Sequence, residues 1–270
     1  MYPQDMNPYF RGERLWGDDF SASQISDWYD DEEEAYANLY PHEPMEQTVG
    51  FDQLNWFHGF RHLQGRTFDA TLALGSGFGT ELLPIAGQLR DVTIVDASSQ
   101  YSNGKLSQLT TVRYVKANPS GAIDLPTHSV DLVTAMSVLH HIPNVSYVLG
   151  ELYRCLKPGG MALIREPICS MGDWRQPRNG LTLRERGLPR RWLEDRFRAL
   201  GFHIRHAQPC VFPLVANLAR FDDFRVWNNR LAVVCDALIC RSLQWNDAYH
   251  RTTVMQKLAP HSCFWVLGKA

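Results

Sequence analysis

From Phe68 onward, short runs rich in β-branched and apolar residues alternate with segments whose apolar residues recur at helical spacing. The predicted strands are Phe68 to Leu74, Val92 to Asp96, Val112 to Val115, Val130 to Met136, Met161 to Glu166, Phe202 to Ala207 and Ser262 to Leu267. Helices are predicted at Thr80 to Leu89, Ser146 to Leu156 and Pro189 to Leu200, with Gly159-Gly160 and Gly201 punctuating two connections. Such alternation predicts an α/β fold with a mostly parallel sheet and helices on both faces. About residues 209–260 the rhythm breaks. Leu231, Val234, Ala237 and Leu238 follow helical spacing there, so this stretch reads as a helical insertion before the last strand. Residues 1–65 read as an N-terminal helical cap and 66–270 as the main domain.

The cap carries an acidic run, Asp27 and Asp30 to Glu34, which reads as a solvated helix face. Its aromatic residues, among them Trp28, Tyr29, Tyr36, Tyr40, Phe51, Trp56, Phe57 and Phe60, are expected to pack it onto the main domain. Composition adds exclusions. A hydrophobic fraction of 44% supports a real core, and a net charge of -2 provides no global attraction for nucleic acid or an anionic membrane. The sequence contains no apolar run of transmembrane length and no signal-peptide core, and its six cysteines form no CxxC pair. These features predict a cytoplasmic protein with reduced thiols, no metal site, no nucleic-acid partner and no membrane association.

The first predicted strand runs into Gly75-Ser76-Gly77-Phe78-Gly79, and a helix-like segment follows. Glycines there allow a tight turn and close approach of backbone to a ligand. The next strand ends in Asp96, 17 residues beyond Gly79, where a carboxylate can accept hydrogen bonds from ribose hydroxyls. No Gly-Lys-Ser/Thr follows, so the loop is not a P-loop.

Four passages carry a family resemblance: Leu72 to Gly79; Val95-Asp96-Ala97-Ser98; Leu125 to Val133 with Ser137 to Ile142; and Leu152 to Gly160. Together they resemble the class I S-adenosyl-L-methionine (SAM)-dependent methyltransferases, in the small-molecule branch related to the ubiquinone and menaquinone enzymes. The resemblance implies a Rossmann-like seven-stranded sheet with a reversed last hairpin and SAM across the strand ends. It implies that Gly75, Gly77 and Gly79 approach the methionine part, that Asp96 binds the ribose, and that Asn118 borders the adenine. Leu74, Ser76, Ala97 and Ser137 complete the expected cofactor-binding set. Ala73 stands where the family carries an acid that helps hold the SAM ammonium, and Asn118 where it often carries Asp.

Ligands of open α/β sheets lie beyond the carboxyl ends of the strands. That position selects His140 or His141 as the general base that removes an acceptor proton, with Glu166 orienting the imidazole or binding substrate. Beside them Arg165, Trp174, Arg175 and Arg178 are expected to bind the acceptor, because arginine pairs with phosphate and carboxylate and Trp174 could stack on a ring. Arg190, Arg191, Arg196 and Arg198 interleave with acids and read as helical ion pairs. The expected activity is methylation of a hydroxyl or amine of a small, polar, anionic metabolite such as a glycan or nucleotide-sugar intermediate. C-methylation of a quinone-like or other apolar acceptor, with aromatic residues of the N-terminal segment and of the insertion lining the pocket, stays open. So does a SAM-fold scaffold without catalysis, and a homodimer contact through the insertion.

Overall fold

The computed structural model describes residues 5–39, 50–98, 110–178, 180–220 and 225–270. Tyr40, Asn179, Phe221, Phe224 and the side chain of Tyr36 lie outside the described residues. The described strands are β1 (Phe68–Leu74), β2 (Leu89–Asp96), β3 (Thr111–Lys116), β4 (Val130–Met136), β5 (Leu156–Pro167), β6 (Phe202–Cys210) and β7 (Ser262–Lys269). They form one sheet in the order β3-β2-β1-β4-β5-β7-β6. β7 runs antiparallel to β5 and β6, and every other pairing is parallel. This is the Rossmann-like sheet with a reversed last hairpin that the sequence led us to expect.

The described helices are α1 (Asn7–Phe10), α2 (Ala22–Leu39), α3 (Asp52–His58), α4 (Val145–Cys155), α5 (Arg190–Leu200), α6 (Pro213–Ala216), α7 (Arg230–Ser242) and α8 (Val254–Lys257). Helix α4 buries Val145, Val148, Leu149, Leu152 and Cys155, the stripe that 3.6-residue periodicity places on one face. Together with Trp192, Leu193 and Phe197 of α5, that stripe covers one face of the sheet. The opposite face packs against Leu54 of α3, Phe60, Leu63 and Val233 of α7. Both faces of β1 and β4 are therefore covered, so from Thr71 in β1 and Leu132 in β4 onward every residue is buried, with no alternation between buried and exposed positions.

Two expectations change in detail. The segment after the glycine loop, Thr80–Gln88, is a 3-10 helix rather than an α-helix, because Pro84 inside it lacks an N–H and cannot sustain an α-helical ladder. Strand β5 begins at Leu156, ahead of Pro158-Gly159-Gly160. A register irregularity between Val130 and Leu132 on β4 accommodates the extra residues.

The N-terminal segment joins the main domain through a third, aromatic cluster: Met6, Tyr9, Trp16, Trp28, Trp174 and Tyr249. Trp16 and Trp174 stack with ring centroids 5.4 Å apart. Among the described residues no helix is long and apolar enough to cross a membrane.

Candidate active site

Strand order reverses between β1 and β4, which opens a crevice beyond their carboxyl ends. A cavity of about 1070 Å³ occupies it, large enough for a nucleoside-sized ligand and a small second molecule. Gly75, Gly77 and Gly79 all have positive φ (64°, 52° and 75°), a region that side chains disfavour. A Cβ on Gly75 would also sit 2.1 Å from Val138 Cγ2. The Gly77 N–H donates to Asp96 Oδ2 at 2.9 Å and the Ser98 N–H to Oδ1 at 3.1 Å, so the acid ties the loop to the end of β2. Burial pushes the Asp96 carboxyl up, and these amides pull it back. Leu74, Gly75, Ser76, Gly77, Asp96, Ala97, Asn118 and Ser137 all line the cavity. Gly79 lies outside the described lining, where its N–H closes the turn onto the Ser76 carbonyl at 2.8 Å. The Asn118 Oδ1 accepts from the Ser120 N–H at 2.9 Å. Tyr29 of α2 closes this end, its hydroxyl donating to the Ala117 carbonyl at 3.0 Å.

Ala73 is fully buried in the core and presents nothing to the cavity. A carboxylate is nevertheless close at hand. Glu81, on the 3-10 helix that follows the loop, lines the cavity and accepts from Ser76 Oγ at 2.5 Å. Burial pushes its carboxyl up to about 7, against the pull of Ser76 and Arg165. Arg165, at the end of β5, lines the same cavity. It donates to Asn55 Oδ1 at 3.0 Å and to Ser137 Oγ at 3.1 Å, and its guanidinium lies 4.0 Å from the Phe51 ring centroid. The cavity thus holds a carboxylate and a guanidinium near the glycine loop. Those are the two groups that the zwitterionic end of an amino-acid ligand requires.

The far wall is built by the short turn Leu139–His141 after β4. Glu166 is fully buried and lies outside the described lining. It accepts the N–H groups of Val138 and Leu139 at 2.9 and 2.8 Å and holds His140 Nδ1 at 2.7 Å. Its position is therefore behind the imidazole, orienting it, rather than against an acceptor. His140 Nε2 lies 3.4 Å from Glu185 Oε1. Burial opposes a charged ring, but Glu166 and Glu185 outweigh it and push His140 up to about 9. The neighbouring His141 goes the other way. Burial and the charge of His140 push it down, against the pull of Glu32, whose Oε2 lies 2.9 Å from His141 Nδ1. Both imidazoles line the cavity. Only His141 is then a neutral ring at pH 7.

The expected acceptor-binding arginine loop lies elsewhere. Trp174 is fully buried in the aromatic cluster, and its Nε1 donates to the Ser170 carbonyl. Arg175 pairs with Asp173 at 2.7 Å and sits over Phe10. Arg178 donates to the carbonyls of Met171, Thr182 and Leu183. All three lie outside the described lining, so they brace the loop instead of facing the cavity. Of the four residues expected to bind acceptor, Arg165 alone is there. The insertion's Phe212 and Trp227 are buried in the core, whereas Tyr29, Phe51 and Trp56 of the N-terminal segment line the cavity. The helical arginines do pair as expected, Arg190 and Arg198 with Glu194.

Glu32, Glu81, Glu185 and Arg186 were not singled out by the sequence. Glu32 sits in the acidic run, yet it is 5% exposed, accepts from Thr182 Oγ1 at 2.7 Å and holds His141. Its neighbours Asp31 and Glu33 pair with Arg184 and Lys116. The solvated face therefore holds for Asp27, Asp30 and Glu34, which are exposed, and fails at Glu32. Its one legible signal was Trp28, four residues earlier on the same helix side, whose Nε1 donates to the His141 carbonyl at 2.7 Å.

Arg186 is fully buried. It donates to the carbonyls of Trp16, His140 and Ile142 at 2.9 Å and of Pro143 at 3.1 Å. It joins the histidine turn to the N-terminal segment. Arg186→Met is expected to lower unfolding stability by about 3–5 kcal/mol, because it strands several buried carbonyls at once. Urea denaturation measures this, and a loss below about 1 kcal/mol would contradict the role.

Comparison with known proteins bears on the family and the fold. Residues 72–164 match the family described as "Methyltransferase domain". Two curated proteins named "Ubiquinone/menaquinone biosynthesis C-methyltransferase UbiE" are similar. The one from Pseudoalteromonas translucida is 28% identical over 44% of this chain and 47% of its own length. The one from Xanthomonas campestris pv. campestris is 30% identical over 43% of this chain and 44% of its own length. The matched region thus spans less than half of those relatives. Among solved structures, Haemonchus contortus phosphoethanolamine N-methyltransferase 1 aligns with TM-score 0.58 at 12% identity, over 95% of this chain and 52% of that one. The 4+2 cyclase SpnF aligns with TM-score 0.55 at 17% identity, over 93% and 97%. These identities speak to the fold alone.

Proposed function

We propose that this chain, whose residues 72–164 match a methyltransferase domain, is a class I SAM-dependent methyltransferase that methylates an acceptor hydroxyl at the wall formed by His140 and His141. The observation that carries the reading is one cavity lined both by the glycine loop with Asp96 and by the two imidazoles. SAM, when bound, supplies a methyl group activated on a sulfonium. The residues fit that group. Asp96 can accept from ribose hydroxyls, the positive-φ glycines let backbone approach closely, and Glu81 and Arg165 offer opposite charges to the methionine end. Glu81 thereby supplies the carboxylate that Ala73 lacks. The imidazole wall takes the acceptor proton, and Glu166 and Glu32 fix the orientation of its two rings.

The acceptor this cavity suits is not the anionic one expected from the arginine loop. Glu32, Glu33, Asp52, Glu81 and Asp96 line the cavity against Arg165, Arg225 and the charged His140, so acidic groups outnumber basic ones in the walls. An uncharged enol or phenol is the better match. A second reading, C-methylation of an enolisable ring, is supported by the names of the two curated relatives. Both readings need the same proton removed.

Calorimetry with S-adenosylhomocysteine at two pH values tests the cofactor half. Glu81 with its carboxyl near 7 is mostly protonated at pH 6, and an ammonium favours the ionised form. Affinity should therefore fall about tenfold from pH 8 to pH 6. Glu81→Gln should be weaker at pH 8 and flat across that range. Absence of binding by the wild type at either pH would overturn the reading. Mass spectrometry of products formed from phenolic acceptors then locates the methyl on oxygen or carbon.

A further inference from the structure

The histidine wall contains more than a base. His140, His141 and Glu185 each offer one ligand atom, and these atoms lie within 4.8 Å of one another. The geometry points to a divalent-cation site of the two-histidine, one-carboxylate type at this wall, opening onto the acceptor end of the cavity.

Three observations support it. The spacing is already right along one edge. Donor atoms about 2.1 Å from a small divalent cation stand roughly 3.0–3.5 Å apart, and His140 Nε2 and Glu185 Oε1 are separated by 3.4 Å. Each imidazole is also backed by its own carboxylate, Glu166 on His140 Nδ1 at 2.7 Å and Glu32 on His141 Nδ1 at 2.9 Å. Backing of this kind fixes the tautomer and orients a metal-ligating histidine. Those acids are held in turn. Backbone N–H groups of the histidine turn bind Glu166, Thr182 Oγ1 binds Glu32, and the Thr182 N–H donates to Glu185 Oε2 at 3.1 Å. Finally, three carboxylates face two imidazoles in a place where the side chains of His140, His141 and Glu185 are 7%, 13% and 10% exposed. A dication held by two neutral imidazoles balances the negative charge that these carboxylates bring together.

No cysteine takes part, so the ligand set suits cations that accept nitrogen and oxygen together: zinc, cobalt, nickel or ferrous iron rather than magnesium or calcium. An acceptor oxygen bound to such a cation would lose its proton to solvent more readily, which in the cation-loaded chain takes the place of proton removal by the ligating imidazoles and rests on the proposed function only for where the acceptor lies. The spacing of Glu185, 44 residues beyond His141, explains why no motif announced the set.

The experiment is a cobalt(II) chloride titration of the chelator-treated full chain, followed by visible d–d absorption, with S-adenosylhomocysteine calorimetry on the same samples. One equivalent of cobalt should saturate the signal and raise the thermal midpoint. Glu185→Gln should weaken cobalt binding at least about tenfold, and Glu32→Gln by about 10- to 100-fold. Thermal melting without metal checks that both variants are folded, since each removes a buried carboxylate that faces an imidazole. A wild type that shows no saturable cobalt spectrum overturns the inference, as does a folded Glu185→Gln that binds cobalt like wild type. Cobalt binding without S-adenosylhomocysteine binding would remove the proposed function and leave the cation site standing. The reverse result would remove only the cation site.

Discussion

Asp96→Ala is expected to lower affinity for S-adenosylhomocysteine by about 100-fold or more, close to 3 kcal/mol. Two losses combine. The ribose hydroxyls lose a charged acceptor, where each such bond contributes about 1.5–3 kcal/mol. The glycine loop also loses its tether, since the same carboxylate accepts the N–H groups of Gly77 and Ser98. Asp96→Asn keeps one acceptor oxygen and should fall between the variant and wild type. Calorimetry reads all three. A change within about threefold for Asp96→Ala would mean that the loop and the end of β2 do not meet on the nucleoside, and the cofactor reading would fail.

His141→Ala should separate binding from chemistry. Turnover is expected to drop by about 10²- to 10⁴-fold, the usual contribution of a positioned proton-transfer group. Affinity for S-adenosylhomocysteine should stay within about threefold, because Asp96 and the glycine loop, rather than the imidazole wall, hold the nucleoside. His141 is the sharper choice of the two histidines. His140 stands between Glu166 and Glu185 and is held charged, so its removal also strands two buried carboxylates and threatens the fold. Near-wild-type turnover of His141→Ala would end the assignment of proton removal to this wall. A parallel loss of cofactor affinity would show instead that the turn Leu139–His141 shapes the nucleoside end.

The arginine loop shows how local chemistry misleads when tertiary direction is unknown. Arg175 and Arg178, flanked by glycine and proline close behind β5, had the residue type and chain position of an anion site. In the fold, Trp174 turns into the aromatic core and drags the loop with it, so one arginine meets Asp173 and the other its own backbone carbonyls. Burial of one large indole outweighs the local guanidinium density. One residue of the acidic run departs in the opposite direction. Composition marks Asp30 to Glu34 as a solvent face, yet Trp28 anchors the helix against the histidine turn and thereby swings Glu32 onto His141. Glu81 escaped notice for a different reason. A missing acid at 73 is visible in the sequence, but its replacement eight residues later needs the turn of the glycine loop to bring it round.

What the sequence determined by itself is the sheet and the meeting of the glycine loop with Asp96 at its edge. Strand periodicity, the glycine spacing and the strand-terminal Asp96 act over short stretches of chain, where backbone geometry alone dictates which atoms meet. What only the tertiary structure decided is the acceptor end. There Glu32, His141, Glu166 and Glu185 come from four separate elements. Their meeting depends on how an aromatic N-terminal segment and the loop after β5 pack together, and packing of that kind leaves no spacing for a sequence to display.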